Sequence, residues 1–434
     1  MLGAGRLPVV DLFELAEKLW SGELEVAGPP SPEHPGDEKA VNPFLPRGEL
    51  VEIGKGTVFV NSFANVSAFE TAEGLVCVDS GALFSAIDIH RMIREWSPVR
   101  LDTTIFSHGH IDHVFGMGPF DEEARDRGWP PPRVVAHENV SARFDRYQLT
   151  AGYNSAINSR QFGIHVPWPT DYRYPDETYR DQVELEVGGE RFELRHAKGE
   201  TDDHTWTWVP GRRVLCSGDL IIWCVPNAGN PQKVQRYPRE WAAALREMSA
   251  LGAEALLPGH GLPVVGADRV RAILGDTAAL LEHLHDETVR LMNEDAPLNE
   301  ILHEVRAPAE LLEKPYLRPI YDDQEFIVRS VWRLYGGWYD LDPAGLKPAR
   351  TGELAREIAA LAGGASGLAR RARELASEGE LRLAGHLAEL AAAAAPEDPE
   401  VRATRVEVNE RRSAAEPSLM AKSIFAAAAR ESRD

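Results

Sequence analysis

Two textures divide the chain: short β-rich runs broken by turn residues up to about Ala267, then long stretches with helical spacing. The opening segment, MLGAGRLPVVDLFELAEKLW, spaces its apolar residues like one face of a helix, which predicts a helix around Asp11–Trp20. A Pro-rich connector follows, PPSPEHPGDEKAVNPFLP, and residues 1–48 read as an N-terminal wrapping segment. From about Glu49 the runs VFV, VSAFET and LVCVD are separated by Asn and Gly, as in antiparallel strands. A helical stretch, FSAIDIHRMIREW, leads to the strand DTTIFS, and RVVAHE follows the turn WPPP. The runs VELEVGG, RFELRHA, HTWTWVP and RRVLCSGD precede a helix, PREWAAALREM, and a short strand, EALLPGHG.

Strand clusters alternating with single helices predict an α+β fold over residues 49–270, an αββα sandwich of two mixed sheets packed face to face with helices outside. Strand signals stop near residues 266–276. Beyond them ALLEHLHDETVRLMN, LNEILHEV, DQEFIVRSVWRLYGGWY and the Ala-rich stretch to Ala395 predict an all-α domain over 277–434. Its later helices form antiparallel pairs of the tetratricopeptide kind, too few to define a repeat.

Composition narrows the class. With 434 residues, 43% hydrophobic and 26% charged, the chain reads as a soluble protein of about two domains. A formal charge of -21 argues against nucleic acid and anionic lipid as partners. Any anionic substrate must therefore be drawn in locally. The three cysteines, Cys77, Cys216 and Cys224, form no CxxC, which fits a reducing compartment. Neither a signal peptide nor an apolar stretch of about 18 residues is evident, so a cytoplasmic protein without a membrane span is expected.

The segment SHGHIDHVFG concentrates the chemistry. It sets His108, His110, Asp112 and His113 on one short loop after an apolar strand. In a tight loop His108 and His110 can converge on one ion while Asp112 and His113 turn towards a second, and imidazole with carboxylate suits zinc. Further ligands are offered by Glu200 in GETDDHTW, Asp219 in CSGDL and His260 in LPGHG. Asp219 is placed to bridge two ions, and the glycines beside His260 let the backbone bend sharply. Each is a weak signal alone; in this order they support one another.

HxHxDH, a ligand after a glycine, an aspartate after a strand and then PGH together resemble the metallo-β-lactamase superfamily over roughly residues 49–265. Most of that superfamily carries His in a GHT element, where this chain has Gly199-Glu200-Thr201. Glutamate there resembles the alkylsulfatase branch, as do YNSAINSRQFG and SVWRLYGGWYDLDPAGLKP, the second resembling that branch's helical dimerisation domain. The resemblance implies a metallo-β-lactamase fold, two Zn2+ per chain, a homodimer through the helical domain and hydrolysis of a small-molecule alkyl or aryl sulfate. Three departures stand out. The bridging residue is Asp219 rather than Glu, IIWCVPNAGNPQKVQRYP lacks the histidines usual in that stretch, and the sequence ends before the sterol-carrier-like third domain of longer relatives. The missing histidines leave the acid for the leaving group unassigned.

Two zinc ions sharing a water would lower its pKa from 15.7 towards about 7. Asp112 and Asp219 are the expected catalytic carboxylates within that site. Asp112, Glu200 and Asp219 against two dications leave about one positive charge, one fewer than with histidine at position 200. Candidate donors to a sulfate are Asn158, Arg160, Lys233 and Arg236, with solvated surface charge as the competing reading. Asp79, ending LVCVDSG, is expected behind the metal loop, accepting a histidine's other N–H. His204 is expected behind the ligands or in the core, and His137 and His196 in structural roles. Two alternatives stay open: hydrolysis of another ester (lactone, thioester or phosphodiester), and a degenerate metal-binding assembly module. For the dimer, Phe326, Ile327, Val331, Trp332, Tyr335, Trp338 and Tyr339 supply an aromatic-rich stripe.

Overall fold

The computed structural model describes residues 11–28 and 39–433. The first helix runs Leu12–Ser21, capped by the Asp11 carboxylate, which accepts from the Phe13 N–H. Its Leu12, Leu15 and Leu19 enter the main core. Residues 29–38 of the Pro-rich connector lie outside the described residues. Around them Glu25–Val26 pairs in parallel with Ala40–Val41.

A seven-stranded sheet runs in the order Glu49–Gly54, Thr57–Asn61, Val66–Glu70, Leu75–Val78, Leu101–Ile105, Arg133–His137 and Glu177–Tyr179. Its first four strands are antiparallel and the rest join in parallel. A six-stranded sheet runs Gln182–Val187, Glu190–His196, Thr205–Val209, Val214–Gly218, Ala255–Pro258 and Val264–Val265. Alternation sorts the first sheet's side chains. Phe59, Phe69, Val76, Val78, Ile105 and Val135 point into the core shared with the second sheet. Val58, Val60, Ala68, Cys77, Val134 and Ala136 point to the other face, under Ile89 and Ile93 of the helix Ala86–Trp96 and Phe144 of Asn139–Leu149. Burial on both faces explains why these strands read as continuous apolar runs, each large side chain contributing about 1.5–3 kcal/mol.

The end of the strands is not the end of this core. The helix Ala267–Asn293 sends Val270, Ile273, Leu274, Leu281 and Leu284 into it, joined by Ile301 of Leu298–Glu304 and by Ile327, Val328 and Trp332 of Gln324–Gly336. Separate, alanine-rich clusters begin only with Thr351–Leu361, Ala365–Ser377, Leu381–Ala394 and Pro399–Ala415. The last helix, Leu419–Glu431, packs on Pro399–Ala415 and also reaches Ala151–Phe162. The aromatic stripe is therefore divided. Ile327, Val331 and Trp332 are internal, because half of an amphipathic helix faces its own core, while Tyr335 and Trp338 are exposed. Among the described residues no helix is long and apolar enough to cross a membrane.

Candidate metal centre

All the candidate ligands follow strand ends. His108, His110, Asp112 and His113 follow Leu101–Ile105, and Glu200 follows Glu190–His196. Val214–Gly218 and Ala255–Pro258 are parallel neighbours with Gly218 opposite Pro258, so Asp219 and His260 leave the sheet side by side. The approach is so close that a Cβ on Gly259 would lie 2.1 Å from Asp219 Oδ1. Gly261, at φ 91°, turns the chain back in a conformation that favours glycine. Asn65 clamps this turn: its Nδ2 donates to the carbonyls of Pro258 at 3.0 Å and Gly261 at 3.1 Å.

The seven side chains form two groups, His108–His110–Glu200–Asp219 and Asp112–His113–His260, with donor atoms within 4.8 Å of one another in each. Asp219 stands between them. Its Oδ1 is 3.3 Å from His113 Nε2, and its Oδ2 is 3.7 Å from His108 Nε2 and 3.4 Å from His260 Nε2. His260 Nε2 is also 3.4 Å from Asp112 Oδ2. Outer partners aim three imidazoles. Asp79, at φ 63°, accepts from His113 Nδ1 at 2.8 Å and from Ser107 N and Oγ at 2.7 Å. The Phe63 carbonyl accepts from His260 Nδ1, and Ser107 Oγ lies 3.0 Å from His108 Nδ1. In each case Nε2 is turned towards the other ligands.

The electrostatics are those of a cation site. Burial alone would depress His113, but the carboxylates of Asp219, Asp79 and Asp112 raise it well above the usual imidazole range. Burial would raise Asp219, yet His260 and His113 hold it well below the carboxylate range. Burial pushes Glu200 up despite Arg236, and pushes His108 and His110 down. His113 Nε2, Glu200 Oε2 and Asp219 Oδ1 are buried without a hydrogen-bond partner. Buried polar atoms of this kind call for a partner, which a divalent cation in each of the two groups would supply.

The remaining candidates are distributed as follows. His204 is fully buried, stacks on His108 with ring centroids 4.9 Å apart, and accepts from Asp219 N at 3.1 Å; burial lowers it to about 4. His137 and His196 stack on each other with centroids 3.7 Å apart, outside both ligand groups. Lys233 Nζ donates to Asn158 Oδ1 at 2.8 Å, and Arg160 donates to Gln232 Oε1 at 2.8 Å. Arg236 is turned inward onto Glu200, with Nη1 3.2 Å from its Oε1. Sequence reasoning missed Arg143, whose guanidinium binds Asp203 at 2.7 Å while Asp203 accepts from Gly109 N at 3.1 Å, pinning the metal loop. Nothing local to NVSARFDRYQL marks that role. Also missed was an apolar approach: Phe63 packs edge-on against His260 at 5.5 Å, and Phe84, 75% exposed, against Phe63 at 5.8 Å.

Comparison with known proteins places these observations. Residues 61–260 match the metallo-beta-lactamase superfamily and residues 297–434 match the alkyl sulfatase dimerisation family. The chain thus carries a metallo-beta-lactamase-type domain followed by an alkylsulfatase-type dimerisation domain, and the first of these families implies divalent-metal binding. It is 28% identical over 320 residues to a linear primary-alkylsulfatase of Pseudomonas sp., a match spanning 68% of this chain and 60% of the relative. It is 27% identical over 382 residues to an (R)-specific secondary-alkylsulfatase of Pseudomonas sp., spanning 80% of this chain and 56% of the relative. The solved structure of the stereoselective inverting sec-alkylsulfatase Pisa1 from Pseudomonas sp. superposes with a TM-score of 0.79 at 23% identity, covering 88% of this chain and 65% of that one. The fold is therefore shared, and the chain spans a little over half the length of these curated relatives.

Proposed function

We propose that this chain is a dizinc hydrolase of alkyl or aryl sulfate esters. His108, His110 and Glu200 would hold one ion, Asp112, His113 and His260 the other, with Asp219 shared. The observation that carries this reading is the position of Asp219, one carboxylate within reach of both groups. Zinc held there would lower the pKa of a bound water towards about 7, supplying a nucleophile at neutral pH. The protein's own part is to orient that centre and the ester. Asn158, Arg160, Lys233 and the donors Arg236 does not spend on Glu200 are the groups for the sulfate, since charged donors suit a tetrahedral oxyanion. Phe63 and Phe84 offer the apolar approach an alkyl or aryl group would use. The names of the relatives support the sulfate class. We further propose that the hydrolase domain occupies 49–270 and that 277–434 makes a homodimer. Three free, buried cysteines accord with a cytoplasmic setting.

The deciding experiment measures inorganic sulfate release from a panel of sulfate, lactone, thioester and phosphodiester substrates, beside metal analysis. About two zinc per chain, and sulfate release lost on chelation and restored by zinc, are expected. Turnover of another ester without sulfate release would move the protein to a different ester class. Full zinc content without any hydrolysis would make it a binding module.

A further inference from the structure

We propose that Arg236 is a positioning residue that compensates the charge of Glu200 and holds its carboxylate beside His108 and His110. The inference rests on the reading of Glu200 as a metal ligand. Arg236 is 2% exposed, so its guanidinium is cut off from water and must find its partner inside the protein. That partner is Glu200, met twice: Nη1 donates to the Glu200 carbonyl and lies 3.2 Å from Oε1. Asn227 Nδ2 also donates to Oε1. One carboxylate oxygen is thus tied by two donors, while Oε2 is buried with no partner. The backbone repeats the grip one residue along, where Tyr237 N donates to the Gly199 carbonyl at 3.0 Å. Residues 236–237 therefore hold residues 199–200 as a unit, fixed ahead of the helix Pro238–Ser249.

Charge explains why an arginine stands here. Three carboxylates against two dications leave one positive charge, whereas histidine at position 200 would leave two. The buried guanidinium restores the second charge within the same enclosure. It also offsets the electron donation of an anionic ligand, and its rigid plane sets one nitrogen, Nη1, against both the Glu200 carbonyl and Oε1, a placement a flexible ammonium holds less firmly.

A double-mutant cycle tests this, read out as zinc affinity by chelator competition and as zinc per chain, with circular dichroism as the folding check. Arg236→Gln in the natural background should lose about tenfold to hundredfold in zinc affinity, the usual effect of removing a residue that supports a ligand. Glu200→His should retain zinc, and adding Arg236→Gln to it should cost little further. Arg236→Lys should fall between, keeping charge without the rigid plane; if Arg236→Gln does not fold, the same cycle is run with Arg236→Lys. Equal losses in both backgrounds would overturn the proposal. Unchanged zinc affinity with a raised KM would also overturn it, assigning Arg236 to the substrate alone. A Glu200→Ala variant with wild-type zinc affinity would instead sink the ligand assignment beneath it.

Discussion

At the residue scale, the side chains nearest the centre differ in what their loss should do. Asp219→Ala removes the carboxylate within reach of both groups, so metal content and turnover should fall together. Asp79→Asn keeps the shape but weakens the acceptor behind His113, and should cost about tenfold to hundredfold in metal affinity or rate. Metal analysis and kinetics on both variants check the order; an Asp219→Ala protein with full metal and normal rate would place the bridge elsewhere. Lys233 makes a pH-dependent prediction. Burial, then Arg236, lowers it to about 7, against the opposing pull of Glu200 and Asp112. Below about pH 7 it is an ammonium able to hold an anionic ester; above, it is a neutral amine. KM for a sulfate ester should therefore rise as pH increases through 7, and Lys233→Met should flatten that rise while raising KM at pH 6. A KM profile unchanged by Lys233→Met would remove Lys233 from substrate binding. The order and spacing of the motifs picked out the seven side chains that the structure gathers into two groups, because clustered histidines and carboxylates carry a chemical signature. The sequence did not reveal the inward turn of Arg236, since NPQKVQRYP has no periodicity from which a buried face could be read.

At the element scale, the centre depends on loops held rigid by partners far away in sequence. Asn65 is the clearest case, closing the turn that carries His260 through two backbone carbonyls nearly two hundred residues on. Asn65→Ala takes its donor from the buried Pro258 carbonyl and one of two from Gly261, which keeps Asn61 Nδ2, at about 1–3 kcal/mol. Chemical denaturation should show that loss, and zinc affinity should fall with it as His260 loses its support. A variant as stable as the parent would mean that water replaces the amide. Strands such as Thr57–Asn61 and Leu75–Val78 were legible because burial on both faces forces apolar runs between turn residues. The helices Asn139–Leu149 and Ala151–Phe162 were not, and the second shows why. It buries Asn154, Asn158 and Gln161, so its inner face is polar and no apolar stripe marks it. The three-residue strand Glu177–Tyr179 is too short for any period to show.

For the whole molecule the question is what covers the apolar surface that the fold leaves outside. Trp332 cannot report on a dimer, because it packs in its own chain's core and Trp332→Glu would bury a charge there. The exposed candidates lie further along, where the main core gives way to the alanine-rich helices. Trp338 is 71% exposed and Leu361 is 91%, with Tyr335, Leu346 and Leu354 also outside. All fall within the stretch that matches the dimerisation family. A two-fold interface presents the same patch twice, so one substitution is felt on both sides. Each chain also carries a formal charge of -21, so two copies repel at long range and added salt screens that repulsion. Light scattering should give twice the 48.0 kDa chain mass, with dissociation growing as salt is lowered. Trp338→Glu should shift the population to monomer while zinc content stays near that of the parent, since Trp338 lies outside both ligand groups. A parent that runs as monomer at micromolar concentration and moderate salt would reject a dimer through this surface. A dimer untouched by Trp338→Glu and Leu361→Glu would move the interface to another face.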